Sequence, residues 1–153
     1  MKRGIWMAAA LGIAATGLAG CSEQPQPAET APEGPQGISV ADARLMLPAV
    51  KGNPGAVYFE VKNAGEENRV LRAVSVAGAG STMMHTKEML EVAQVAVPAG
   101  GGSAKFEPGA RHVMVMDLAD TVTAGSQAEV TLTFVGGNKI TFPAEVRAAG
   151  DER

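Results

Sequence analysis

The chain contains two histidines, His85 and His112, and each stands in a cluster of methionines. The first cluster reads Met83-Met84-His85-Thr86-Lys87-Glu88-Met89 and the second His112-Val113-Met114-Val115-Met116. Of eight methionines in the chain, five fall between positions 83 and 116. Imidazole nitrogen and thioether sulfur together are the donor set of a soft ion, and Cu(I) is the candidate, with one ion expected. A filled d shell lets Cu(I) accept few ligands and neutral ones. In an oxidising compartment thiolates are lost to disulfides, whereas methionine forms none, so a His and Met site without cysteine suits an exported copper protein. Histidine ligates only as the neutral ring, so binding weakens as acid protonates the imidazoles.

Methionine is also a common core filler, and Met46 and Met84 are assigned to the core. Met114, between Val113 and Val115, joins them if its sheet is buried on both faces.

The elements that must position these residues are strands. From Ile38 onward the apolar residues recur in short runs of period two, broken by Gly, Pro and Asn. The expected strands are Ile38–Leu45, Ala56–Lys62, Val70–Val76, Thr82–Thr86, Leu90–Val97, Ser103–Phe106, His112–Leu118, Ala128–Val135 and Lys139–Val146. Many short strands at even spacing predict an all-β domain, a cupredoxin-like or Ig-like antiparallel Greek-key sandwich or barrel. Residues i, i+2 and i+4 of a strand share a face. His112, Met114 and Met116 therefore point one way and Val113 and Val115 the other, and Met83 and His85 likewise share a face. Two such strands converge on one ion only if the fold brings the imidazoles together. Separated by more than roughly 10 Å, they cannot both form metal bonds of about 2 Å.

The N-terminal region reads as an address. Residues 1–20 form a lipoprotein signal peptide, with Lys2 and Arg3 before an apolar run from Ile5 to Leu18. Leu18-Ala19-Gly20-Cys21 has the form of a bacterial lipobox, and Cys21, the lone cysteine, is the expected lipidation site. Residues 21–37 comprise the lipidated cysteine and a Pro-rich tether that lacks the apolar content to fold. Residues 38–148 form the copper-binding β-domain and 149–153 a short tail. Attachment to the membrane is expected through the lipid alone, in the bacterial periplasm. Ser22 after the cysteine resembles an outer-membrane rather than inner-membrane sorting signal.

Composition excludes several function classes. Without Lys2 and Arg3 the chain carries 11 basic against 16 acidic residues, a formal net charge of −5 with no basic cluster, so nucleic acid is not an expected partner. There is no CxxC, HExxH, GxxxxGK or GxSxG motif. Gly100-Gly101-Gly102 precedes no helical pattern and reads as a hairpin turn. Ser103 has no convincing triad partners. Zinc chemistry favours His, Cys and carboxylates over thioethers. No enzymatic activity is expected.

Several segments resemble the periplasmic copper chaperone family known as PCuAC. They are Ala41-Asp42-Ala43-Arg44, Gly55-Ala56-Val57-Tyr58-Phe59 followed by Lys62-Asn63, Val97-Pro98-Ala99-Gly100-Gly101, and Glu107-Pro108-Gly109 leading into His112-Val113-Met114-Val115-Met116. The resemblance spans about residues 38 to 146. It implies a small cupredoxin-like or Ig-like barrel that binds Cu(I) through two His and two Met. It also implies delivery of copper to exported cuproproteins such as cytochrome oxidase. By the family pattern His85, His112 and Met114 carry over as ligands, and Met89 carries over by its distance to Val97-Pro98-Ala99-Gly100. Only three residues separate His85 from Met89, where the family has a longer stretch, so the hairpin presenting this Met is shortened. Met83 and Met116, each sharing a strand face with a ligand, are the substitutes for Met89. The competing functions are a copper-sequestering or resistance protein, and a metal-free Ig-like structural lipoprotein domain.

Overall fold

The structure, a computed structural model, describes residues 37–151. The expected signal peptide, Cys21, the tether up to residue 36 and the last two residues of the tail lie outside the described residues. Nine strands run in chain order: β1 (Ile38–Met46), β2 (Gly55–Asn63), β3 (Arg69–Val76), β4 (Ser81–His85), β5 (Val95–Val97), β6 (Gly102–Phe106), β7 (His112–Met116), β8 (Gln127–Phe134) and β9 (Lys139–Arg147). No helix occurs among the described residues. The domain is all-β, as the alternation implies.

The strands form one curled sheet in the order β4-β7-β2-β1-β9-β8-β3-β5, with β6 pairing the second half of β2. Curling turns one side of every strand inward, so each strand alternates between core and solvent. In β9 the inward residues are Ile140, Phe142, Ala144 and Val146, and in β8 Ala128, Val130, Leu132 and Phe134. Phe59 stacks on Phe106 with ring centroids 4.4 Å apart and meets Phe142 at 6.0 Å, closing the middle of the core. Each large side chain removed from water contributes about 1.5–3 kcal/mol.

Three features depart from the simple alternating reading. The inward phase of β1 changes, from Ile38 and Val40 to Leu45. Between Ala41 and Arg44 the strand holds one residue more than β2 does opposite it, with Asp42 at φ 55, which is a β-bulge. Beyond the bulge, Arg44–Met46 pair in parallel with Glu145–Arg147 of β9, so the sheet is mixed rather than purely antiparallel. The third departure is a correction: no strand spans Leu90–Val97. Only Val95–Val97 is a strand, and residue 91 makes an isolated bridge to His85. Thr86 is the cause. Its amide donates to the Leu90 carbonyl (2.8 Å), its carbonyl accepts from the Met89 amide (3.1 Å), and its Oγ1 accepts from the Glu88 amide (3.2 Å). These bonds use the backbone groups that a strand ladder needs.

Candidate metal centre

The centre is built on β4 and β7, which pair in antiparallel register. His85 lies opposite His112, Met84 opposite Val113, Met83 opposite Met114, and Ser81 opposite Met116. Val113 and Val115 are fully buried and Met84 is nearly so. Their burial fixes the phase of both strands and turns His85, Met83, His112, Met114 and Met116 to the outer face. Met46 is buried as well, so the two methionines read as core from the sequence are core.

The two imidazoles meet edge to face, with centroids 5.9 Å apart and planes at 80°. Metal–nitrogen bonds of about 2 Å put two imidazole centroids roughly 5–6 Å apart on one ion, so the observed spacing meets this requirement. The Nδ1 of His112 lies 3.0 Å from the Ala110 carbonyl. A carbonyl only accepts, so Nδ1 carries the proton, and in the neutral ring this leaves the lone pair on Nε2, the arrangement that second-shell partners impose on ligating histidines. The Nδ1 of His85 is buried and has no hydrogen-bond partner. A buried polar atom in that condition costs roughly 1–3 kcal/mol unless something satisfies it.

Both strands end abruptly around this face. Strand β7 stops at Met116 because Asp117 takes the left-handed conformation (φ 53). The Gly80 amide donates to the carbonyls of Met116 (3.0 Å) and Asp117 (3.2 Å). A Cβ on Gly80 would lie 2.8 Å from that of Asp117, so only glycine allows the approach. Strand β4 ends at His85, after which the Thr86 turn folds back and the Val92 amide donates to the Met84 carbonyl (2.8 Å). Met89 sits in that turn at φ 62, more than half exposed.

Of the residues named from the sequence, the fold thus brings His85, His112, Met83 and Met114 into two cross-strand pairs that follow one another on the outer face, with the inward Met84–Val113 pair between them. Met116 lies one step further along the same face, and Met89 stands on the turn beyond His85. The carbonyl of Ala110 and the side chain of Thr86 were not anticipated. A backbone acceptor leaves no trace in residue type, whereas the Thr86 turn has the Ser/Thr-turn chemistry that the local sequence permits. Among the described residues no three His, Cys, Asp or Glu side chains gather as a metal site. The centre lies apart from the cleft of about 750 Å³ lined by Asp42, Arg44, Glu60, Lys105, Glu145 and Arg147, which no His or Met borders.

Residues 38–146 match the family described as "Putative lipoprotein LpqE-like". The chain belongs to the LpqE-like family. A relative, "Putative lipoprotein Lxx21020" of Leifsonia xyli subsp. xyli (strain CTCB07), is 30% identical over 130 residues, covering 80% of this chain and 77% of the relative. Among solved structures, the apo PCuAC domain from PmoF1 is 26% identical with a TM-score of 0.65, over 73% of this chain and 94% of that domain. The copper-bound PCuAC domain from PmoF2 is 24% identical with a TM-score of 0.64, over 73% of this chain and 93% of that one. The Cu(I) form of DR1885 from Deinococcus radiodurans is 20% identical with a TM-score of 0.62, over 82% and 85%. This LpqE-like chain therefore has the cupredoxin-like fold of PCuAC domains, as the resemblance of its segments implies.

Proposed function

We propose that the chain is a copper chaperone of the bacterial cell envelope. It binds one Cu(I) through His85, Met89, His112 and Met114 and hands the ion to an exported cuproprotein, with cytochrome oxidase assembly as the expected destination. The observation that carries this reading is the pair of imidazoles with centroids 5.9 Å apart, one holding a buried nitrogen without a partner, beside thioethers on the same face. The copper-bound state of the similar PmoF2 domain and the Cu(I) state of DR1885 support it. Membership of a family described as lipoproteins supports an anchor at Cys21; a place in the periplasm at the outer membrane is our reading of the leader and of Ser22.

Chaperoning needs tight capture and ready release. Imidazole and thioether donors are neutral and leave the charge of Cu(I) uncompensated, so an acceptor with thiolates or more imidazoles takes it downhill. The turn bearing Met89 is exposed, and a ligand at such a position can leave first and open a coordination place for the acceptor. The Ala110 carbonyl holds His112 in one tautomer throughout, so the anchoring end of the site needs no rearrangement.

The test is Cu(I) competition against a chromophoric chelator, because Trp6, in the expected leader, is the chain's one tryptophan and the mature protein has none to report binding. Wild type is expected to take up a tight equivalent, weakened about 100-fold or more in both His85→Ala and His112→Ala. If wild type fails to compete, the copper function is wrong and a metal-free lipoprotein domain remains.

A further inference from the structure

The ligand set proposed above leaves Met83 and Met116 unused, although both share the outer face of β4 and β7 with His85, His112 and Met114. We propose that Met83, Met114 and Met116 form a second, thioether-only subsite for Cu(I), contiguous with the histidine site and sharing Met114 with it. The proposal rests on the copper-binding reading and extends it to a transit position for the ion.

Core packing does not account for these methionines. Met84, Val113 and Val115 already fill the inner side of the same two strands. The outer face of the longer antiparallel pair, β8 with β9, shows what this sheet otherwise presents to water: Glu129, Thr131, Thr133, Lys139 and Thr141, with Thr131 and Thr141 hydrogen-bonded across the strands at 2.8 Å. The equivalent face of β4 and β7 carries Met83, Met114 and Met116 instead. Met83 is 37% exposed and Met114 and Met116 are half-buried, so the three form a contiguous apolar strip on the outer face, and it is contiguity that marks a binding surface.

The register supplies one. Met83 lies directly across from Met114, and Met116, opposite the small Ser81, is its diagonal neighbour. Directly opposed residues have Cβ atoms about 4.5–5.5 Å apart, and diagonal ones remain within reach of long side chains. Two sulfurs bonded to one soft ion at about 2.3 Å lie roughly 4 Å apart, which flexible thioethers reach from those positions. Beside β7 on the same sheet, Ala56 of β2 faces Met114, so no bulky neighbour competes for the space.

The face thus grades from imidazoles at one end to sulfur alone at the other, with Met114 common to both. An ion exchanging ligands moves along it with no change of oxidation state. It would arrive at Met83, 37% exposed on β4, a second point of access to an acceptor besides the Met89 turn.

The experiment uses the mature chain, residues 21–153, with Cys21→Ser so that no thiol competes, and with methionine ε-methyl groups carrying ¹³C. Ag(I) serves as the probe, having the same filled d shell without the redox chemistry of Cu(I). The first equivalent is expected to move the imidazole signals and the methyls of Met89 and Met114. The second is expected to move Met83 and Met116, and Met114 again, while the buried Met46 and Met84 stay still. The double variant Met83→Leu/Met116→Leu keeps side-chain volume and should bind a single equivalent. The proposal is overturned if Met83 and Met116 do not move through the second equivalent, or if they move with the imidazoles during the first. Signals that never move at any His or Met would overturn the copper reading itself.

Discussion

Two buried polar groups among the described residues, the side chain of Asn63 and the Nδ1 atom of His85, are treated in opposite ways. Asn63, at the end of β2, is completely buried. Its Nδ2 donates to the carbonyls of Glu67 (2.8 Å) and Val97 (3.1 Å), and its Oδ1 accepts from the Gly65 amide (3.1 Å). These bonds tie β2 to the turn before β3 and to β5. At the centre on β4 and β7, the buried Nδ1 of His85 has no partner while the Nδ1 of His112 is held by Ala110. A buried polar atom satisfied by the chain itself is part of the structure. One left without a partner, on strands that also carry the second imidazole and the thioethers, is the feature that the proposed copper site accounts for.

Three substitutions would sharpen or break this contrast. The largest effect on stability is expected from Met84→Ala, which truncates a core side chain between the candidate ligands and should cost about 2–5 kcal/mol in urea unfolding. Its copper affinity, measured on folded protein, should stay near wild type, because Met84 points inward where Met83 points out. Next is Asn63→Ala, which strands two carbonyls and an amide and should cost about 2–3 kcal/mol, again without loss of copper affinity. A drop in affinity as large as the drop in stability would show that the two regions are not separable. The smallest is Met89→Ala: on an exposed turn it should change stability by less than about 0.5 kcal/mol yet weaken Cu(I) about tenfold, equivalent to about 1.4 kcal/mol. Unchanged affinity would remove Met89 from the ligand set and leave the outer-face methionines to complete it.

The legible parts of the fold were those governed by local alternation. In β8 apolar and polar residues alternate without interruption, and in β2, β7 and β9 the inward apolar residues keep a period of two, so the strand positions follow. The reading failed where backbone bonding or register overrides alternation. Leu90, Val92 and Val95 look like a strand, but Thr86 draws the chain into a turn and leaves Leu90 exposed. In β1 the extra residue at the Asp42 bulge shifts the phase, which no count of apolar residues reveals. The candidate site divides along the same line. Which faces His112, Met114 and Met116 share was evident from spacing. That His85 stands opposite His112, and Met83 opposite Met114, required the register.

Residue types and period-two spacing determined, by themselves, a β-domain carrying soft donors on the outer sides of its strands. Both properties are local, set by side-chain chemistry and by the geometry of one extended backbone. Tertiary structure alone decided that two strands distant in sequence pair in the one register that joins their histidines. That register follows from burying Met84, Val113 and Val115 together, and a slip of one residue in either strand would turn that strand's candidate ligands into the core. Tertiary structure also decided that one imidazole is anchored by a backbone carbonyl and the other left with an open nitrogen, because hydrogen-bond partners depend on which chain segments meet in space.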